Sequence, residues 1–126
     1  MDMALAWREL MRVDAAAPEA DVLDAVYYDD ARRQAVQAPL QQWLQDYAAR
    51  LGSDPLSAQE RLAKMAAANP LYVLRNWLAQ EAIDRAEQGD LGGVHALQDV
   101  LRDPYTERPG LEHYAGKRPA WADHRA

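Results

Sequence analysis

The sequence predicts an all-α protein, and three observations carry the prediction. Alanine, leucine, glutamine, arginine and glutamate, all good helix formers, dominate the chain. Alternating runs of β-branched residues, the mark of half-buried strands, are missing. Apolar residues recur instead at helical spacing, punctuated by proline, glycine and capping residues. The expectation is about five to six helices in an irregular bundle with an extended C-terminal tail. Residues 1–103 read as the helical domain and 104–126 as the tail.

Met3 to Val13 reads as the first helix, with Leu5, Leu10 and Val13 on one side. The stretch Asp14 to Asp21 breaks it, and Pro18 with Glu19 and Asp21 suits the first turn of a short second helix ending near Tyr28-Asp29-Asp30. From Ala31 to Leu51 the pattern is helical again, with Pro39 starting a new segment or kinking the old one. Leu40, Trp43, Leu44, Tyr47 and Leu51 form one apolar stripe, and Gly52 is a suitable C-cap. Ser57 with Glu60 spells a capping box for a helix through Ala68. Asn69-Pro70 reads as the cap and first residue of a helix to Gln88, stopped by Gly89. Asp90 then caps a last helix to about Arg102, and Asp103-Pro104 ends it. The tail has no sustained periodicity, but Tyr105, Leu111, Tyr114 and Trp121 recur along it as possible anchors.

Bulk composition excludes several function classes. The chain has 126 residues, 49% hydrophobic and 27% charged, which fits one globular domain. A formal charge of -6 argues against a nucleic-acid surface and against affinity for anionic membranes. With no cysteine there is no disulfide, thiolate nucleophile or cysteine-ligated metal. No run approaches the ~20 apolar residues of a membrane span, and the N-terminus lacks an export signal, so the expected location is cytoplasmic. Phenylalanine is absent while there are 4 Trp and 6 Tyr, so every large aromatic carries a polar handle.

The stretch NPLYVLRNWLAQEA, Asn69 to Ala82, raises the central question. At about 100° per residue, Leu71, Leu74, Trp77, Leu78 and Ala82 fall on one broad face, and Arg75 falls inside that arc. Asn76 points to another side, near Gln80 and Ile83. A buried guanidinium needs a carboxylate or several carbonyls. Its partner is either an acid of this chain, such as one between Asp21 and Asp30, or a surface outside it, unless the side chain reaches solvent.

Other candidate chemistry is thin. Asp90-Leu91-Gly92 is similar to the metal-binding Asp-Phe-Gly of kinases, but the catalytic-loop and strand residues that motif needs are missing, and a helix cap explains it. His95, His113 and His124 have no metal-ligand spacing, and the acids Asp21, Asp24, Asp29 and Asp30 lack the pattern of a calcium loop. No catalytic, cofactor-binding or metal-binding residue is expected.

One long motif resembles the C-terminal region of the selenoprotein O family, the bacterial YdiU proteins. It runs from Asn69-Pro70 through Leu74-Arg75-Asn76-Trp77-Leu78-Ala79-Gln80 and Ala82-Ile83. It continues through Ala86-Glu87, Gly89-Asp90, Leu97, Leu101-Arg102 and Pro104-Tyr105 to Arg118-Pro119 and Trp121. Upstream, Trp43-Leu44 with Tyr47, Arg50 and Leu51 is similar to the family's WLxxYxxRL segment. The likeness is dense from about Leu40 to Trp121 and thin before that.

The resemblance implies a parent protein with a kinase-like, pseudokinase fold that transfers AMP from ATP to protein hydroxyls, using Mg²⁺ or Mn²⁺. The family's catalytic and nucleotide-binding residues do not map onto this chain. The resemblance therefore implies a fragment, truncated product or detached domain that supports a kinase-like core. It needs no cofactor of its own, and its partners are that core and, in the parent, protein substrates. Members often end in a cysteine- or selenocysteine-containing tail associated with redox control; this sequence carries neither residue. Asn69, Arg75, Asn76, Trp77 and Arg102 are the candidate architectural contacts. The alternative is an independent helical interaction module without catalysis.

Overall fold

The computed structural model describes residues 1–124, and the regular structure among them is all helical, with no strand. Six α-helices and two 3-10 helices are present among the described residues, more than expected because the tail itself contributes two short helical turns. The chain divides into two compact units, Met1–Asn69 and a second beginning at Pro70.

In the first unit, α1 spans Met3–Leu10 and stops short of the expected Val13. Asp2 is its N-cap, accepting the Leu5 amide at 3.2 Å. The same carboxylate, 6% exposed, accepts the Tyr28 hydroxyl at 2.9 Å, while the Asp2 amide donates to the Val26 carbonyl at 2.8 Å. These bonds tie the start of α1 to the 3-10 helix Ala20–Val26. Leu10, Val13, Leu23, Val26 and Leu44 form the core, with Ala6 and Ala20 filling between them. Gln41 braces the entry to the 3-10 helix, accepting from the Ala20 amide at 2.8 Å and donating to the Pro18 carbonyl at 2.6 Å.

Helix α2 spans Asp30–Gly52 without a break at Pro39. Proline removes the donor that would bond the carbonyl four residues back. Here the N-terminal half of α2 is exposed, so water can take up that carbonyl, and the helix continues. Its buried face is Leu44, Ala48 and Leu51. Trp43, expected in the stripe, lies one residue off this face and is 47% exposed, stacked on the Tyr47 ring at 5.3 Å. Helix α3, Ala58–Ala68, carries the expected capping box: Ser57 Oγ accepts the Glu60 amide and Glu60 accepts the Ser57 amide.

Asn69 does not open the next helix; it closes α3. Its amide and side-chain Nδ2 both donate to the Met65 carbonyl, at 2.8 and 2.9 Å, and its own carbonyl accepts from Arg8 at 2.9 Å. Residues 70–75 are irregular, and α4 begins only at Asn76 and runs to Glu87. The physical reason is non-local: the Leu71 and Tyr72 amides both donate to the Pro104 carbonyl, at 2.8 and 3.1 Å. These bonds hold Leu71 and Tyr72 against the segment that follows α5, ahead of the helix.

In the second unit, α4 and α5 (Gly92–Arg102) form a helical hairpin. Gly89, at φ +86°, makes the turn, as its place after the last periodic residue predicts. Trp77, Leu78, Ala82 and Leu97 form the core with Ala122 from the tail, and Leu101 and Tyr114 pack against it. The tail folds as a single turn, α6 (Glu112–Ala115), and a 3-10 helix, Ala120–His124. Of the four expected anchors, Tyr114 packs on the core, whereas Tyr105 and Trp121 are exposed and Ala122 is buried in their place.

Candidate functional site

The hairpin is built for close approach. Gly93 is buried at the start of α5, where an added Cβ would meet the Arg85 side chain at 3.2 Å and the Ala82 backbone at 3.4 Å. The turn is held by Asp90, which accepts from Arg85 Nε and Nη2 at 2.9 and 2.7 Å and from the Gly92 amide at 2.8 Å. Asp90 thus sits one residue outside the N-cap position, which Leu91 occupies, yet its carboxylate still serves the first amide of α5. The Arg85 hydrogen bonds, and then the Gly92 amide, hold the Asp90 carboxyl below its ordinary value.

Trp77, Leu78 and Val100 are buried in this unit, and an open apolar groove lies along the hairpin. Ala79, Ala82 and Ile83 form one wall, and Val94, Leu97 and Leu101 the other. The spacing is helical on both walls, so the groove is a property of the amphipathic pattern. Ile83 is 48% and Val94 41% exposed. Arg102, at the C-terminal end of α5 where a cation suits the dipole, is the one charged residue lining it among the described residues.

Away from the groove, Tyr72 is buried at 2% exposure and organises the tail. Its hydroxyl accepts the Arg108 amide at 3.0 Å, and the Arg108 guanidinium lies 5.9 Å from its ring centroid. Arg108 also reaches the end of α5, donating to the Asp99 and Val100 carbonyls at 3.3 and 3.2 Å. His113 contacts Glu81 at 2.7 Å and meets the Trp77 ring edge-on at 5.0 Å.

The five candidate contact residues do not converge. Asn69 belongs to the first unit as the cap of α3. Arg75 holds the N-cap position of α4 in extended backbone, φ -96° and ψ 144°, so it does not lie in the middle of a helix. Asn76 is exposed at the first turn, Trp77 is in the hairpin core, and Arg102 is on the groove. Sequence reasoning missed the role of Ile83 and Val94, whose spacing marked helix but not which face would stay open. It also missed Arg8, whose guanidinium bonds the Ala66 and Asn69 carbonyls at the end of α3.

Among the described residues, no three His, Asp or Glu side chains gather as metal ligands. The expected absence of a metal motif included His124, whose side chain lies outside the described residues. Three acids of the 21–30 run have local work: Arg33 pairs with Asp24 at 2.8 Å and Asp30 at 3.3 Å, and Asp29 caps α2. No helix among the described residues is long and apolar enough to cross a membrane.

No protein-family model matches the chain. Individual proteins do. Proteins named protein nucleotidyltransferase YdiU from Xanthomonas axonopodis pv. citri strain 306 and Xanthomonas campestris pv. campestris strain B100 are each 52% identical over 126 residues. That from Xanthomonas oryzae pv. oryzae strain PXO99A is 51% identical. Each match covers 100% of this chain and 24% of the relative. The likeness therefore extends through the first forty residues, where the motifs were thin, and the chain spans about a quarter of the length of the curated relatives it matches.

Proposed function

We propose that this chain, which belongs by sequence to the YdiU family of protein nucleotidyltransferases, acts as a non-catalytic helical part of such an enzyme, corresponding to its C-terminal region. Its task is to buttress a kinase-like core that carries the chemistry. The observation that carries this reading is the match over the whole chain against a quarter of each relative. The Asp90, Glu60 and Glu112 carboxylates are each engaged by backbone amides or Arg85 as structural fasteners. In the whole protein, ATP with Mg²⁺ or Mn²⁺ would be held by the core, AMP would pass to hydroxyls of protein acceptors, and this chain would supply no ligand to either.

Incubation with labelled ATP, Mg²⁺ or Mn²⁺ and protein acceptors tests the reading. The chain alone should transfer no label, whereas the full-length Xanthomonas axonopodis relative should. Removing the matched quarter from that relative should lower its transfer. Label transfer by the chain alone, or full activity without the quarter, overturns the proposal; the latter points to an independent interaction module.

A further inference from the structure

We propose that the segment from Leu111 through the 3-10 helix Ala120–His124 is a strap that pivots at Gly110 and leaves the hairpin as one unit. Helices α4 and α5 stay folded when it opens, and the Trp77 indole is uncovered. The inference starts from Trp77, which is 5% exposed while Trp7, Trp43 and Trp121 are half-exposed. Its indole Nε1 is buried and has no hydrogen-bond partner among the described residues. A buried donor without an acceptor costs the closed state its desolvation, and water restores that bond on opening.

The cover over Trp77 comes from the tail. Tyr114 packs on the core that holds Trp77, Leu78 and Ala122, and the His113 ring meets the indole edge-on at 5.0 Å. The attachment changes character at Gly110. Ahead of it, the Arg108 amide donates to the buried Tyr72 hydroxyl, and its guanidinium donates to the Asp99 and Val100 carbonyls. Beyond it, His113 Nε2 meets Glu81 at 2.7 Å, with the two side chains 57% and 36% exposed. Water competes for such a pair, which holds weakly. Gly110 itself has φ +85°, the left-handed region that glycine enters at little cost, which suits a pivot. The strap's regular structure is a helix of 4 residues and a 3-10 helix of 5. One turn does not persist without packing, so both unwind once they leave the hairpin. Opening is therefore local, and it couples exchange at the tail amides to exchange at the Trp77 indole.

Hydrogen exchange followed by NMR on the ¹⁵N-labelled 126-residue chain tests the strap. The Tyr114 and Ala122 amides, both hydrogen-bonded in the closed state, should share one protection factor with the Trp77 indole N–H. That factor should lie roughly tenfold or more below those of the Ala82 and Leu97 amides in α4 and α5. Equal protection throughout, tail exchange with the indole still protected, or indole exchange ahead of the tail overturns the proposal. Gly110→Ala gives a second reading. An added Cβ meets nothing within 4 Å there, so the positive φ alone penalises the closed state. Exchange at the tail amides and at the indole should rise by one common factor, roughly five- to thirtyfold. A rise at the tail alone, or no rise, also overturns the proposal; should the variant fail to fold, the wild-type rates decide alone.

Discussion

Asp90 receives two hydrogen bonds from Arg85 and one from the Gly92 amide, so the turn between α4 and α5 requires its charged form. Glu60, bonded by the Ser57 amide and hydroxyl contact, and Glu112, bonded by its own and the Gly110 amide, are lowered in the same sense. A carboxylate held below its unfolded value stabilises the fold above that value, near pH 4, and the contribution is lost as pH falls through the folded pKa. Urea midpoints measured from about pH 6 down to about pH 2 should therefore fall in the acid range. D90N, which cannot titrate there, should show a shallower fall. In the core the effect of substitution is larger. Leu44 is fully buried, and Leu44→Ala should cost roughly 2–5 kcal/mol, read as a lower urea midpoint at unchanged slope. Arg75 illustrates what single residues concealed: its side chain reads as a cation inside an apolar arc only if residues 71–74 are helical, and they are not.

Among the elements, those whose signals are local were legible. The capping box of α3 needs only Ser57 and Glu60, three residues apart, and Ser57→Ala should cost about 1 kcal/mol in a denaturation titration. Gly89 likewise ends α4 through its own backbone freedom. The elements that were misread were decided elsewhere in the chain. Asn69 suits either end of a helix, and the choice fell to a carbonyl at Pro104 and a guanidinium at Arg8. Pro39 reads as a boundary, but an exposed helix flank tolerates it. Pro39→Ala should accordingly stabilise the protein, by up to roughly 3 kcal/mol, with greater helical ellipticity. Loss of stability instead would show that the ring makes a contact worth more than the missing bond.

At the scale of the whole molecule, the all-helical class followed from composition and period, and the family from one long motif; the open face did not. Periodicity shows that Ala79, Ile83, Val94 and Leu101 lie on helix faces, but which face stays uncovered depends on where the neighbouring helix packs. The acidic balance carries its own expectation. With a formal charge of -6, the chain should not shift duplex DNA in a gel at physiological salt. A shift that weakens as salt rises would contradict it. The bonds from Leu71 and Tyr72 to Pro104, with Tyr72 against Arg108, have a topological consequence as well. They fasten the chain on both sides of the hairpin, so α4 and α5 hang from a closed neck. Severing the peptide bond at Gly89 would leave two pieces still gripped at that neck and along the hairpin core. A nicked protein should therefore co-elute as one species, and the Gly89 turn is where a circular permutant could open new ends.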